Sequence, residues 1–206
     1  MVKILHIHPK DPQPRLLQEA VRIIKNGGVI VYPTDSAYAL GCQLGNKAAA
    51  NRIRLIRDLD KDHNFTLMCR DLSEISTYAN IDNSIFRLLK ANTPGAYTYV
   101  LPATKEVPRR LQHPKRQTIG IRVPDNIITQ KLLEELKEPL MSVTLILPEI
   151  NIVVSDPEEF LEQLEPKVDL IIEGGYCGAK PTTVVHFVNG QSLVTRVGQG
   201  NPTPFM

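Results

Sequence analysis

The sequence predicts an α/β fold in which helices pack on a mixed β-sheet within a single domain spanning residues 1–206. Three observations lead there. Segments with helical apolar spacing alternate with short apolar or β-branched runs along the whole chain. The last extended segment doubles back through a hairpin signal, and no repeat, low-complexity tract or linker divides the 206 residues. Apolar residues make up 42% of the chain, enough for one sizeable core.

The first strand is read in "VKILHIH". "PRLLQEAVRIIKNGG" follows with apolar residues at helical spacing, Pro14 suited to a first turn and Gly27 and Gly28 to the stop. "VIVY" is a buried strand cut off by Pro33, and a helix runs from about Lys47 to Arg57. A strand "FTLMC", helical segments through about Lys90, and a strand "YTYVLP" after the breaker "TPG" come next. "TIGIRVP" reads as a strand, "NIITQKLLEELK" as a helix and "LMSVTLIL" as a strand. Asp156 as N-cap and Pro157 in the first turn open a helix in "DPEEFLEQLE", and "VDLIIEGG" is another strand. In "TTVVHFVNGQSLVTRV", Asn189-Gly190 between two alternating runs predicts a β-hairpin.

The N-terminal apolar run is far shorter than a secretory core segment, and no stretch approaches the ~18 apolar residues of a membrane span, so the expected location is cytoplasmic, without a membrane partner. Cys42, Cys69 and Cys177 are odd in number and widely spaced, which excludes a disulfide framework or a CxxC zinc site and predicts reduced, mostly buried thiols. The net charge is +2, but residues 1–133 hold 20 basic and 11 acidic residues whereas residues 134–206 hold 4 and 11, giving halves of +9 and −7. A basic half suits an anion such as a nucleotide or RNA. Its densest cluster, "KEVPRRLQHPKR", sets Lys105, Arg109, Arg110, Lys115 and Arg116 against one Glu, with no Trp and few aromatics to stack on bases of a single strand.

Several familiar motifs fail. "EGGYCGAK" ends in Gly-Ala-Lys rather than Gly-Lys-Ser/Thr, and Pro181 follows, so it is not a phosphate-binding P-loop. His6 and His8 alternate along a strand as metal ligands can, but no third ligand accompanies them and a structural role is expected; no metal site is read. There is no GxSxG elbow and no HExxH. What remains is a set of hydroxyls and arginines at strand ends: Thr34, Ser36 and Tyr38 in "YPTDSAYALG", Arg122 in "IRVP", Ser142 and Thr144 in "LMSVTL", Thr182 and Thr183 in "TTVV", and Arg196 in "TRVG". Ligand sites of open α/β sheets gather at strand ends. Hydroxyls and guanidiniums suit phosphates and carboxylates through charge-assisted hydrogen bonds.

In that order, "YPTDSAYALG", "TPGAYTYVL", "IGIRVP", "MSVT", "TTVVHF" and "TRVG" resemble the YrdC/YciO family from end to end, and the YciO branch most closely. The resemblance implies a twisted α/β sheet with a large, positively charged concave face, and binding of nucleotide and of double-stranded RNA or tRNA. The catalytic members are threonylcarbamoyl-adenylate synthases, which join threonine, bicarbonate and ATP into threonylcarbamoyl-AMP and pyrophosphate for tRNA modification. ATP with Mg2+ would then enter as a substrate, and no tightly bound cofactor is implied. By resemblance Thr34, Ser36 and Tyr38 line the amino-acid and adenylate pocket, Arg122 and Arg196 hold phosphate or carboxylate, Ser142 the phosphate and its magnesium, and Thr183 a phosphate oxygen. Two blocks depart from the family: "KxR" falls on "RDL", placing Arg57 for the lysine and Leu59 for the arginine, and "SxN" falls on "SVT", placing Thr144 for the asparagine. The implied function is a nucleotide- and RNA-binding protein with little or no synthase activity, the alternative a working synthase with substituted residues.

Overall fold

The computed structural model describes residues 2–61, 63–113, 115–149 and 151–206; the side chain of Arg110 also lies outside the description. β1 (Lys3–His6) leads to α1 (Pro14–Lys25), whose first turn holds Pro14 and whose exit passes through Gly27 at φ +85°. β2 (Ile30–Tyr32) and β3 (Ala39–Gln43) follow, then α2 (Lys47–Arg57), capped by the Asn46 side chain on the amide of Ala49. After β4 (Thr66–Met68), Asp71 caps α3 (Leu72–Tyr78) and Asp82 caps α4 (Asn83–Asn92). β5 (Tyr97–Pro102), a 3₁₀ turn at Arg109–Leu111 and β6 (Thr118–Arg122) precede α5 (Ile127–Leu136), capped by Asn126. The chain ends with β7 (Leu140–Thr144), a 3₁₀ turn at Pro157–Glu159, the short α6 (Leu161–Leu164), β8 (Leu170–Glu173), the hairpin β9 (Thr183–Val188) and β10 (Gln191–Arg196), and a last 3₁₀ turn at Thr203–Phe205.

All ten strands join one mixed sheet in the order β1-β8-β2-β3-β7-β4-β6-β5-β9-β10. The β1–β8, β8–β2, β4–β6 and β5–β9 pairs are parallel and the rest antiparallel. Period-two alternation splits the buried side chains between the two faces. Val31, Leu40, Leu67 and Met141 look into the larger core, which α2, α3, α4 and α6 help to fill through Ile53, Ile75, Leu89 and Leu164. Their neighbours Ile30, Tyr32, Met68 and Leu140 look the other way, into a smaller core closed by α1 and α5. Those two helices cover only part of this second face. Beyond them, the same face of β7, β4, β6, β5 and β9 presents Ser142, Thr66, Arg122, Thr98 and Val184 to a cavity.

Two elements differ from the sequence reading. β3 was not expected, because "ALGCQ" has no β-branched or aromatic residue to announce a strand. Its small residues are required where it lies: a side chain at Gly41 would meet the Tyr32 ring at 2.8 Å. The helix expected in "DPEEFLEQLE" is instead a 3₁₀ turn and a four-residue helix, although Asp156 and Pro157 do open it, in a capping box with Glu159. His6 pairs through Nδ1 with Glu173 at 2.6 Å, and His8 Nδ1 accepts the backbone amides of Lys10 and Asp11. Among the described residues no cluster of His, Cys, Asp and Glu fits a metal ion. The three cysteines are free thiols; burial pushes Cys42 and Cys177 up to about 12 and Cys69 well above its ordinary value. No described helix is long and apolar enough to cross a membrane.

Candidate nucleotide site on the open sheet face

The cavity over the uncovered sheet face has a volume of about 290 Å³. Larger grooves, of about 350, 730, 770 and 950 Å³, lie elsewhere but have no buried charged residue in their described walls. Three guanidiniums from distant parts of the chain reach the smaller cavity, those of Arg57, Arg122 and Arg196, and its described wall contains no carboxylate. Guanidiniums of this kind suit oxyanions; of the three, Arg122 is already paired with Asp35, which lies behind the wall.

Arg122, at the end of β6, is 4% exposed. Its Nη2 donates to Asp35 Oδ1 at 2.6 Å and to Ser36 Oγ at 3.1 Å, while Asp35 Oδ2 accepts the backbone amide of Asp125 at 2.9 Å. Its Nε–H is buried and has no partner. A buried donor without a partner is costly, and Arg122 carries that cost in the wall of the cavity. The turn carrying Asp35 is itself stiff. Thr34 Oγ1 donates to the Ala37 carbonyl at 2.6 Å and accepts the amides of Ser36 and Ala37, and the Thr129 hydroxyl of α5 holds the Pro33 carbonyl at 2.5 Å.

Arg196 owes its direction to a β-bulge. β10 pairs Val194 with Val185 and then Arg196 with Val184, so the register slips by one between them. The slip turns Arg196 onto the cavity face. There its Nε donates to the Thr182 carbonyl and its Nη2 to Thr182 Oγ1, both at 3.0 Å, and Thr182 shares a 2.7 Å hydrogen bond with Thr98. Burial lowers the pKa of Arg196, and the neighbouring Arg122 lowers it further. Ser142, 2% exposed, donates to the Leu40 carbonyl at 3.2 Å, which leaves the Tyr32 hydroxyl to donate to Ser142 at 2.5 Å. Burial raises the Tyr32 pKa strongly and keeps that proton in place.

Arg57 is engaged differently. Its Nε donates to the Thr144 carbonyl at 2.7 Å and its Nη1 to the Ile146 carbonyl at 3.2 Å, so it fastens the C-terminal end of α2 to the chain leaving β7. Leu59 is partly buried against the larger core and lies in the wall of the 950 Å³ groove rather than of this cavity.

The structure thus brings Arg57, Arg122, Ser142, Thr144 and Arg196 together around one cavity, with Ser36 one hydrogen bond behind Arg122. Thr34, Tyr38 and Thr183 are not in its wall. Thr34 shapes the turn, as above. The Tyr38 hydroxyl donates to the Gly175 carbonyl at 2.7 Å and accepts the Gly174 amide, and burial raises its pKa. Thr183 Oγ1 donates to the Gly200 carbonyl at 2.5 Å and accepts the Gly198 amide, which closes the chain so tightly that a side chain at Gly198 would lie 2.2 Å from the Pro181 carbonyl oxygen. The preceding residue, Thr182, has the hydroxyl that reaches Arg196. Sequence reading also missed Thr66, Thr98, His63 and Asn64 in the wall, and Asp35 and Tyr32 behind it. Period-two counting assigns Arg122, Thr98 and Thr66 each a face of its own strand, but only the registers of β4 and β5 on β6 bring those faces together.

The basic segment 105–116 lies outside this cavity. Val107 and Leu111 are buried anchors, and Lys105, Arg109, Lys115 and Arg116 are exposed. His113 Nδ1 accepts the amides of Lys115 and Arg116, which orders the turn that carries them. Arg109 lies in the groove beside α2, whereas Arg116 lies in a second groove with Thr118, Val100 and His186 on the cavity face of the sheet. Arg110 has no described side chain.

Comparison with known proteins agrees with this architecture. A sequence-family model for Sua5/YciO/YrdC, described as "Telomere recombination", matches residues 22–198. YciO of Escherichia coli K12 is 57% identical over 206 residues, covering 100% of both chains, and its crystal structure superposes with a TM-score of 0.95. A threonylcarbamoyl-AMP synthase of Vibrio vulnificus is 33% identical over 131 residues, which is 62% of this chain and 70% of the synthase. Sua5 of P. abyssi, solved in complex with L-threonine, has a TM-score of 0.86 at 23% identity and covers 95% of this chain and 57% of its own, so it shows the shared fold. The chain is a member of the Sua5/YciO/YrdC family.

Proposed function

We propose that this protein binds nucleotide in a pocket of the threonylcarbamoyl-AMP-synthase type and RNA on an exposed basic surface outside that pocket, and turns over the synthase reaction slowly or not at all. The observation that carries this reading is the arrangement of cations around the cavity. Attack of a carbamate oxygen on the α-phosphate of ATP gathers negative charge, and the site must offset it with free donors. Arg57 is tied to two backbone carbonyls, Leu59 supplies no donor, and Arg122 is already neutralised by Asp35. That leaves Arg196, with Arg122 beside it in the wall, to hold a nucleotide, a set better suited to binding than to stabilising a pentacovalent phosphate. Nucleotide as a ligand is further supported by the similarity to the V. vulnificus synthase. ATP with its magnesium would enter as a substrate; since the described wall holds no carboxylate, the ion would be held by the phosphates and by hydroxyls such as those of Ser142 and Thr144. RNA as a partner rests on the exposed basic segment 105–116 and the +9 charge of residues 1–133.

The test is pyrophosphate release from ATP, threonine and bicarbonate, run beside calorimetric titration with ATP. The expected result is ATP binding with little pyrophosphate, and turnover that rises in Leu59→Arg with Thr144→Asn, the longer arginine reaching from the adjoining groove past His63 and Asn64, which line both, aided by Arg57→Lys. Restoring one electrostatic donor typically changes such rates by ~10²–10³. Robust release by the unmodified protein overturns the reading in favour of a working synthase. No ATP binding overturns both.

A further inference from the structure

The groove of about 950 Å³ beside α2 combines cationic and apolar side chains. Its cations are Lys47, Arg54, Lys61 and Arg109, against the single carboxylate of Asp58 in the described wall. Among the described residues none of the four forms an ion pair. Arg54 is held ready: its guanidinium lies 4.9 Å from the Phe65 ring centroid and its Nη1 donates to Asn51, while its Nε–H is buried with no partner. Apolar surface lines the same groove. Leu55 is 83% exposed on α2, opposite the face that buries Ile53, and Leu59 and Leu111 flank it. His63 and Asn64 stand in the walls of both this groove and the smaller cavity, so the two adjoin.

Lys47, Lys61 and Arg109 beside the Arg54 guanidinium, none of them in an ion pair among the described residues, call for a compact, multiply charged anion, which planar and ammonium donors together suit as phosphate. The aliphatic wall adds contact for an organic body. We propose that this groove is a second binding site, for a phosphate ester, separate from the cavity that contains Arg122 and Arg196. The ester's phosphate lies among Lys47, Arg54, Lys61 and Arg109, and its organic part rests on Leu55. Such a group is found both on a free nucleotide and along an RNA strand.

The experiment follows backbone amide shifts in ¹⁵N-labelled protein titrated separately with AMP and with a short RNA duplex. Three proteins are compared: wild type, Arg196→Ala, and the double variant Lys47→Glu with Leu55→Asp, whose side chains are exposed so that its melting temperature serves as a folding control. Saturable shifts at residues 47–61 and 109–112 are expected in wild type and in Arg196→Ala alike, with affinity at least about tenfold weaker in the double variant. Shifts with AMP identify a site for free nucleotides, and shifts with the duplex alone identify an RNA phosphate. If neither ligand moves these amides, or the double variant binds as tightly as wild type, the site does not exist. Because Arg196→Ala weakens the cavity and not the groove, failure of this proposal is distinguishable from failure of the nucleotide cavity.

Discussion

At the scale of single residues, Asp35 and Arg122 make the most consequential contact, since their side chains are 9% and 5% exposed and lie 2.6 Å apart. Both oxygens of Asp35 are in use, one by Arg122 and one by the Asp125 amide. The pair therefore fixes which way the remaining Arg122 donors face. Removing one member of a buried pair strands the other's charge and costs about 3–5 kcal/mol. Asp35→Ala is expected to lower unfolding free energy by that amount in urea titration; a loss under about 1 kcal/mol would show that water replaces the carboxylate. His63 gives a pH-dependent counterpart. Burial lowers its pKa, the positive charges of Arg57 and Arg54 lower it further, and Asp60 opposes them. With a folded value below the unfolded ~6.5, neutral His63 contributes stability that is present above pH ~6.5 and lost as pH falls through the folded value. A phosphate in the adjoining cavity reverses the preference, because it favours the imidazolium. AMP affinity is therefore expected to rise between pH 7.5 and pH 5.5 by more in wild type than in His63→Gln, a comparison that cancels the titration of AMP itself. Equal gains in the two proteins would place His63 outside the ligand's field.

At the scale of elements, the β9–β10 hairpin positions Arg196 through two local devices. Its turn has Asn189 at φ 52° and Gly190 at φ 78°, the pair of positive angles that a two-residue I′ loop requires. The bulge after Val194 then aims Arg196. Gly190→Ala forces an L side chain into the left-handed region at about 1–2 kcal/mol. The expected outcome is a urea midpoint shifted by that amount, and an unchanged midpoint would mean that the turn relaxes. The two devices differ in how far the sequence announced them. Asn-Gly between alternating runs is a local signal with a local cause, so the hairpin was legible. The bulge is not written in "SLVTRVG", because it depends on which residues of β9 stand opposite, and so the direction of Arg196 was unreadable. The same reason explains Thr182 and Thr183. Adjacent threonines on a strand face opposite ways, and only the register of β9 on β5, with Tyr97 opposite Thr183, decides which one reaches the cavity.

At the scale of the whole molecule, alternating periodicity made the α/β class legible, while the strand order was not: β3 pairs with β7 (Ala39 opposite Thr144), and β4 lies between β7 and β6 (Thr66 opposite Ser142 and Gly120), through residues far apart in sequence. That order lets α1 and α5 cover one part of the second face and leave the other bare, which is why hydroxyls scattered over the sequence share a cavity. Charge follows a similar logic. Two basic residues of the first 133 positions lie in different grooves, Arg109 beside α2 and Arg116 beside the hairpin. A duplex laid across this region would meet a spread of cations rather than one specific clamp, so its binding should be governed by counterion release. Affinity for double-stranded RNA is expected to fall with salt at a log-log slope of about −0.9 per phosphate contacted, on the duplex-DNA estimate. Exchanging Arg109 and Arg116 for Glu should shallow that slope by about 2 and weaken binding for every sequence alike, since phosphate contacts carry no sequence information. The measurement is a series of RNA titrations from low to physiological salt on both proteins. A flat salt response in wild type, or identical slopes in wild type and the double variant, would remove this face from consideration as the RNA surface.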